Sequence, residues 1–140
     1  MRLTIKNLAL ICGVLLVTIF AFHPAAAQET AVKLRSGKTV SGVVGGEGHQ
    51  SYFIRVRKGQ TITVQISRRV PKDGNFNLTV SRKADFSNAE DVKFGKETST
   101  RTFLRWTGKV PAAGNYYFYL TGFNPNDPNV IRYRLTATVK

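Results

Sequence analysis

Cysteine occurs once in the 140 residues, at Cys12, and the chain also has one tryptophan, two histidines and only eight acidic residues. Each scarcity removes a class of chemistry. Cys12 sits in an amino-terminal stretch laid out like a secretory signal: Arg2 and Lys6, then the apolar run from Leu8 to Phe22, then the small residues Ala25-Ala26-Ala27. The run falls short of the roughly 20 residues that span a bilayer and leads into His23-Pro24, so a cleaved leader over 1–27 is expected. Removing 27 residues from 140 leaves 113, read as a single domain over 28–140 with no cysteine. A disulfide scaffold and a thiolate nucleophile are thereby excluded, and stability must come from packing and strand pairing. A periplasmic or secreted location follows from the leader.

Catalytic parts are equally scarce. His49 is the one histidine beyond the leader, and no G-x-S-x-G turn accompanies it. In a glycine-rich loop such a histidine is expected to be exposed. Glycosidase chemistry needs two carboxylates across a cleft, but the acids are scattered and only Glu90-Asp91 are adjacent. No zinc ligand set and no nucleotide loop is present. Asn124, Asn126 and Asp127 offer oxygens for calcium, but one carboxylate makes a weak site. The expectation is a protein with no catalytic residues, metal or cofactor.

What the chain has is cationic charge and alternation. Without Arg2 and Lys6, 19 of the 21 Lys and Arg remain against eight acids, a net +11. Such a surface attracts anionic polymers and acidic protein faces, with a strength that falls as salt rises. Nucleic acid is not the expected partner of an exported domain.

Nearly every apolar cluster alternates with polar residues at the two-residue period of a half-buried strand. Val40, Val43 and Val44 mark a first strand, closed by Gly45-Gly46-Glu47-Gly48. Tyr52, Ile54 and Val56 point one way and Phe53, Arg55 and Arg57 the other; after Lys58-Gly59-Gln60, Ile62, Val64 and Ile66 form the next inward set. Pro71-Lys72-Asp73-Gly74 turns the chain into Phe76, Leu78 and Val80, with glycine expected to take the unusual backbone angle. Ser81 to Arg101 reads as a long crossing loop, its one helical hint being the capping-box pair Ser87 and Glu90. Phe103 to Thr107 reads as a strand holding Trp106. Tyr116, Phe118 and Leu120 alternate with Tyr117 and Tyr119, which predicts a central strand. Phe123 to Asn129 is a loop, and in the last strand Tyr133, Leu135, Ala137 and Val139 face inward while Arg132, Arg134, Thr136 and Thr138 face outward. Seven or eight short strands predict an all-β antiparallel sandwich or jelly roll.

Gly37-Lys38-Thr39-Val40-Ser41-Gly42-Val43-Val44, Ser51 to Val56 and Lys58 to Val64 resemble the bacterial pre-peptidase C-terminal domain, as do Ala113 to Phe118 and Tyr133 to Thr136. The resemblance covers about 37–140 and implies a small jelly-roll sandwich. Ser41-Gly42 followed by Tyr52 through Gln60 is also similar to the periplasmic inhibitors of goose-type (g-type) lysozyme. That likeness implies direct binding of a lytic enzyme; on that reading Ser41, Gly42, His49, Asn124, Asn126 and Asp127 are the candidate partner-binding positions, since the loops that carry them are expected at one end of the sandwich. The inhibitors carry tyrosines before their second strand and arginines before the last; 45–50 here hold no tyrosine and 124–130 no arginine.

The alternative reading is an envelope or anionic-polysaccharide (peptidoglycan) binding module. Arg55, Arg57, Arg132 and Arg134 form a basic stripe wherever their strands share a sheet, with Tyr117, Tyr119 and Trp106 adding sugar-stacking surface if exposed.

Overall fold

The computed structural model describes residues 30–46, 48–86, 94–125 and 131–140. The expected leader, Glu47, the capping-box pair Ser87 and Glu90, and the candidate residues Asn126 and Asp127 lie outside them.

Among the described residues nine strands form two sheets: β1 Val32–Lys33, β2 Thr39–Val44, β3 His49–Val56, β4 Thr61–Arg68, β5 Asn75–Ser81, β6 Gly95–Ser99, β7 Phe103–Lys109, β8 Gly114–Phe123 and β9 Ile131–Val139. One sheet runs β1-β3-β8-β5 and the other β2-β9-β4-β7-β6. Every pairing is antiparallel except β1 with β3. The all-β sandwich read from the alternation is the fold.

The inward sets make the core between the sheets. Ile62, Val64 and Ile66 are fully buried, as are Tyr116, Phe118 and Leu120 of β8, which pairs on both sides with β3 and β5. Leu135 and Ala137 of β9, beside β4 in the same sheet, complete the set that faces β8, and Trp106 of that sheet lies 6.3 Å from Phe118, edge to face. A strand buried on one face and wet on the other is held in register by that pattern, because a one-residue slip would send every apolar side chain to solvent.

Two strands were not legible as such. β1 is only two residues long. β6 lies inside the expected crossing loop, and its inward positions hold Glu97 and Ser99, opposite Trp106 and Leu104. An edge strand with no apolar alternation gives no period-two signal. The turn at 71–74 forms, with the Gly74 amide donating to the Pro71 carbonyl at 3.1 Å. Gly74 is not needed for a positive φ, as expected from sequence, but for room: a Cβ there would lie 2.7 Å from the Phe123 carbonyl oxygen. β8 also runs on to Phe123, which the sequence placed in the following loop.

One end of the sandwich gathers several connections. β2 ends at Val44 and β3 begins at His49, while β8 ends at Phe123 and β9 begins at Ile131. Val44 pairs with Ile131, and a Cβ on Gly122 would meet the side chains of both, so the end of β2, the end of β8 and the start of β9 lie side by side. Gly46 takes a φ of 59°, and the Gly48 amide donates to the Gly45 carbonyl at 2.9 Å.

Candidate functional site

Near that end, the outward face of the five-stranded sheet holds a basin of about 560 Å³. Register explains its walls. Ser41, Arg134 and Ser67 stand in one outward row across β2, β9 and β4, and Val43 and Arg132 stand in the next. Between these rows lie Gly42, Tyr133 and Arg68, where Tyr133 and Arg68 turn inward, so this row floors the basin with backbone. Thr102 closes one side. Arg132 and Arg134 are exposed and flank the hollow.

Gly42 is required here by close approach. A Cβ on it would lie 2.5 Å from Cζ of Tyr133, whose ring crosses beneath the strand. Tyr133 is fixed by a 2.7 Å hydroxyl–hydroxyl hydrogen bond with Tyr52 of the facing sheet and by edge contacts with Tyr52 and Phe76 at 6.5 and 5.8 Å. Burial, then the hydrogen bond to Tyr52, pushes the Tyr133 phenol well above its ordinary range. The hydroxyl stays a neutral partner at physiological pH, and the Ser-Gly pair read as a contact motif is in part a packing requirement.

Arg68 is the residue sequence reasoning missed. It is 7% exposed, with its guanidinium 4.8 Å over the Phe76 ring and Nη2 donating to Ser99 Oγ at 2.9 Å. Nε and Nη1 have no hydrogen-bond partner among the described residues. Burial lowers the Arg68 pKa, partly offset by Glu97, and burial raises that of Glu97, partly offset by Arg68. For both groups desolvation outweighs the mutual attraction, as expected for a pair that is not in tight contact. No sequence signal marks Arg68, because it occupies an inward position that the alternation reserves for apolar residues.

The outward positions of the five strands hold Lys96, Arg105, Lys109, Arg132 and Arg134, and among the described residues no Asp or Glu. The rest are largely hydroxyls, with Thr39 and Thr136 hydrogen bonded at 2.7 Å. The surface around the basin is therefore cationic and rich in donors.

The other candidate residues sit elsewhere. His49 opens β3 in the opposite sheet and is half-buried, its ring 4.7 Å from that of Tyr119. The expected exposed loop histidine is thus a packed strand residue. Asn124 is buried just beyond β8, at the shared end. The four arginines make no single stripe: Arg132 and Arg134 belong to the five-stranded sheet, whereas Arg55 lies on β3 of the other sheet and Arg57 just past it. Of the aromatic residues considered for stacking, Trp106 is core and Tyr117 and Tyr119 are half-exposed. Among the described residues no three His, Cys, Asp or Glu gather around a point: Asp73 lies in the turn before β5, Asp85 after β5 and Glu97 on β6.

No protein-family model matches the sequence, and no curated protein matches it. Solved structures do. The pre-peptidase C-terminal domain of collagenase from Bacillus anthracis superposes with a TM-score of 0.55 at 17% identity, over 78% of this chain and 95% of that one. PliG of Aeromonas hydrophila, a periplasmic inhibitor of g-type lysozyme, gives 0.54 at 18% identity, over 79% and 96%. At such identities the likeness is one of fold: the chain is a sandwich built like a pre-peptidase C-terminal domain and like that inhibitor.

Proposed function

We propose that this chain is an exported, non-catalytic binding protein that inhibits a cell-wall lytic enzyme of the g-type lysozyme class by docking on it. The observation that carries this is the basin, which unites Ser41 and Gly42, implied as partner-binding, with Arg132 and Arg134, read separately as basic surface. Glycoside hydrolases generally carry paired carboxylates around the bond they cleave. Arginine presents a planar fork that matches a carboxylate with two parallel hydrogen bonds, and a face on which no described strand position carries an acid imposes no like-charge penalty on an acidic rim. The arginines that such inhibitors carry before the last strand are absent from 124–130, but Arg132 occupies the first outward position of β9, directly after that segment. The excess positive charge steers the encounter with an acidic partner. His49, at the start of β3, and Asn124, just beyond β8, lie at the shared end and are candidates for contacts outside the basin; Asn126 and Asp127 are proposed with them from the sequence alone.

The test is a lytic assay with purified residues 28–140 titrated against goose-type, chicken-type and invertebrate-type lysozymes at two salt concentrations. Saturating inhibition of the goose type at near one-to-one stoichiometry, weakened but not abolished by salt, is expected. Lysis unaffected by a large excess of the protein for all three enzymes refutes the inhibitor function.

A further inference from the structure

The outward face of the four-stranded sheet has a different character. On β3 and β8 the outward pairs run His49 with Thr121, Ser51 with Tyr119, Phe53 with Tyr117 and Arg55 with Asn115. Successive pairs are two residues apart, so the four rows cover ~20 Å. Phe53 and Tyr117 lie 5.7 Å apart with planes tilted by 34°, and neither ring is fully buried. Phe86 lies 5.0 Å from Tyr119 and 6.4 Å from Tyr117, held by a backbone φ of 56°. A bulky side chain in the left-handed region is strained by about 1 kcal/mol or more, so the surroundings must impose that conformation.

The aromatic rows run into cationic ground. Beyond Arg55 and Asn115 two hollows adjoin across Gly114: one of about 570 Å³ lined by Arg55, Arg57 and Gln60, and one of about 340 Å³ lined by Arg82, Lys83 and Asn115. Among the described residues no Asp or Glu lines either. Gly114 has a φ of 147° and a Cβ there would meet nothing, so the backbone leaves the saddle between the hollows open.

We propose that this face is a second binding surface, separate from the basin, and that its occupant is a carboxylated glycan. Ring faces offer stacking area to the C–H faces of sugars, and half-exposed tyrosines present it at low entropic cost. Ser51, Thr79 and Asn115 add hydroxyls and an amide suited to sugar hydroxyls. The arginines at the end of the row complement carboxylates, so the charge pattern selects an acidic chain over a neutral one. Single-stranded nucleic acid also pairs stacking with basic grooves, but in the exported setting expected from the signal-like amino end glycans are the abundant polymer.

The experiment is affinity electrophoresis of the protein in gels containing polygalacturonate, its methyl ester, alginate or soluble peptidoglycan strands, with oligothymidylate titrated as competitor. Retardation by at least one carboxylated glycan and none by the methyl ester is expected. Tyr117→Ala and the double substitution Arg55→Gln/Arg57→Gln are each expected to weaken retardation about tenfold. Arg132→Gln/Arg134→Gln, on the other sheet, is expected to leave it unchanged. Unaltered Trp106 emission certifies the fold of each variant, and the arginine pair decides the matter if Tyr117→Ala unfolds. The proposal fails if none of the carboxylated glycans retards the protein. It fails equally if the Arg132/Arg134 variant is the one that loses binding, if ester and acid bind alike, or if oligothymidylate binds more tightly than every glycan.

Discussion

Gly42→Ala is the substitution that separates packing from contact in the Ser-Gly pair. The backbone of Gly42 is not in the left-handed region, so alanine is conformationally admissible and, by restricting the unfolded chain, would stabilise by about 0.4–1 kcal/mol in open space. The space is not open. The new Cβ would sit 2.5 Å from Cζ of a Tyr133 ring that is pinned by Tyr52 and Phe76. Overpacking of this kind costs about 1–3 kcal/mol. Displacing the ring also breaks the buried hydroxyl pair, a further cost of about 1 kcal/mol. The net is a destabilisation of about 2 kcal/mol, or roughly 8 °C in Tm for a domain of this size. Equilibrium urea unfolding followed by Trp106 emission measures it. Combining Gly42→Ala with Tyr133→Leu, which removes the obstructing ring, should cost less than the sum of the single changes. A Gly42→Ala protein as stable as the parent, or strict additivity with Tyr133→Leu, would falsify this account of the site.

Three further outcomes are expected. Gly95→Ala drives a Cβ into the Trp106 indole and should detach β6, seen as a red shift of Trp106 emission with lower stability. Arg68→Met replaces a buried guanidinium with two unbonded donors and should leave stability unchanged or raise it, by up to about 1 kcal/mol in urea titrations; a loss above about 3 kcal/mol would mean that its donors are satisfied. Because burial and Tyr52 raise the Tyr133 pKa, the folded protein holds that proton more tightly than the unfolded chain. Stability from this group is full below about pH 10 and falls as pH rises beyond it, and a Tm-against-pH series should lose part of its alkaline decline in Tyr133→Phe.

The sandwich was legible because Ile62, Val64 and Ile66, or Leu135 and Ala137, alternate with polar residues over whole strands, and one buried face permits no other arrangement. β6 was not, since Glu97 and Ser99 take its inward positions at an open edge. Alternation also states which way a side chain points but not which sheet carries it. Arg55 and Arg134 therefore looked like neighbours, although a sandwich places them on opposite surfaces. The basin was half legible: Ser41 and Gly42 came from resemblance, Arg132 and Arg134 from alternation, and only the pairing of β2 with β9 joins them. Arg68 and the strained Phe86 depend on tertiary surroundings that no local pattern encodes.

Isothermal titration of the protein into a g-type lysozyme at low and moderate salt, beside the Arg132→Gln/Arg134→Gln variant, tests the basin most directly. One-to-one binding that weakens with salt, and at least about tenfold further in the variant, is the predicted result. Absence of binding, or an affinity indifferent to the loss of both arginines, would contradict the assignment of the partner surface to this face.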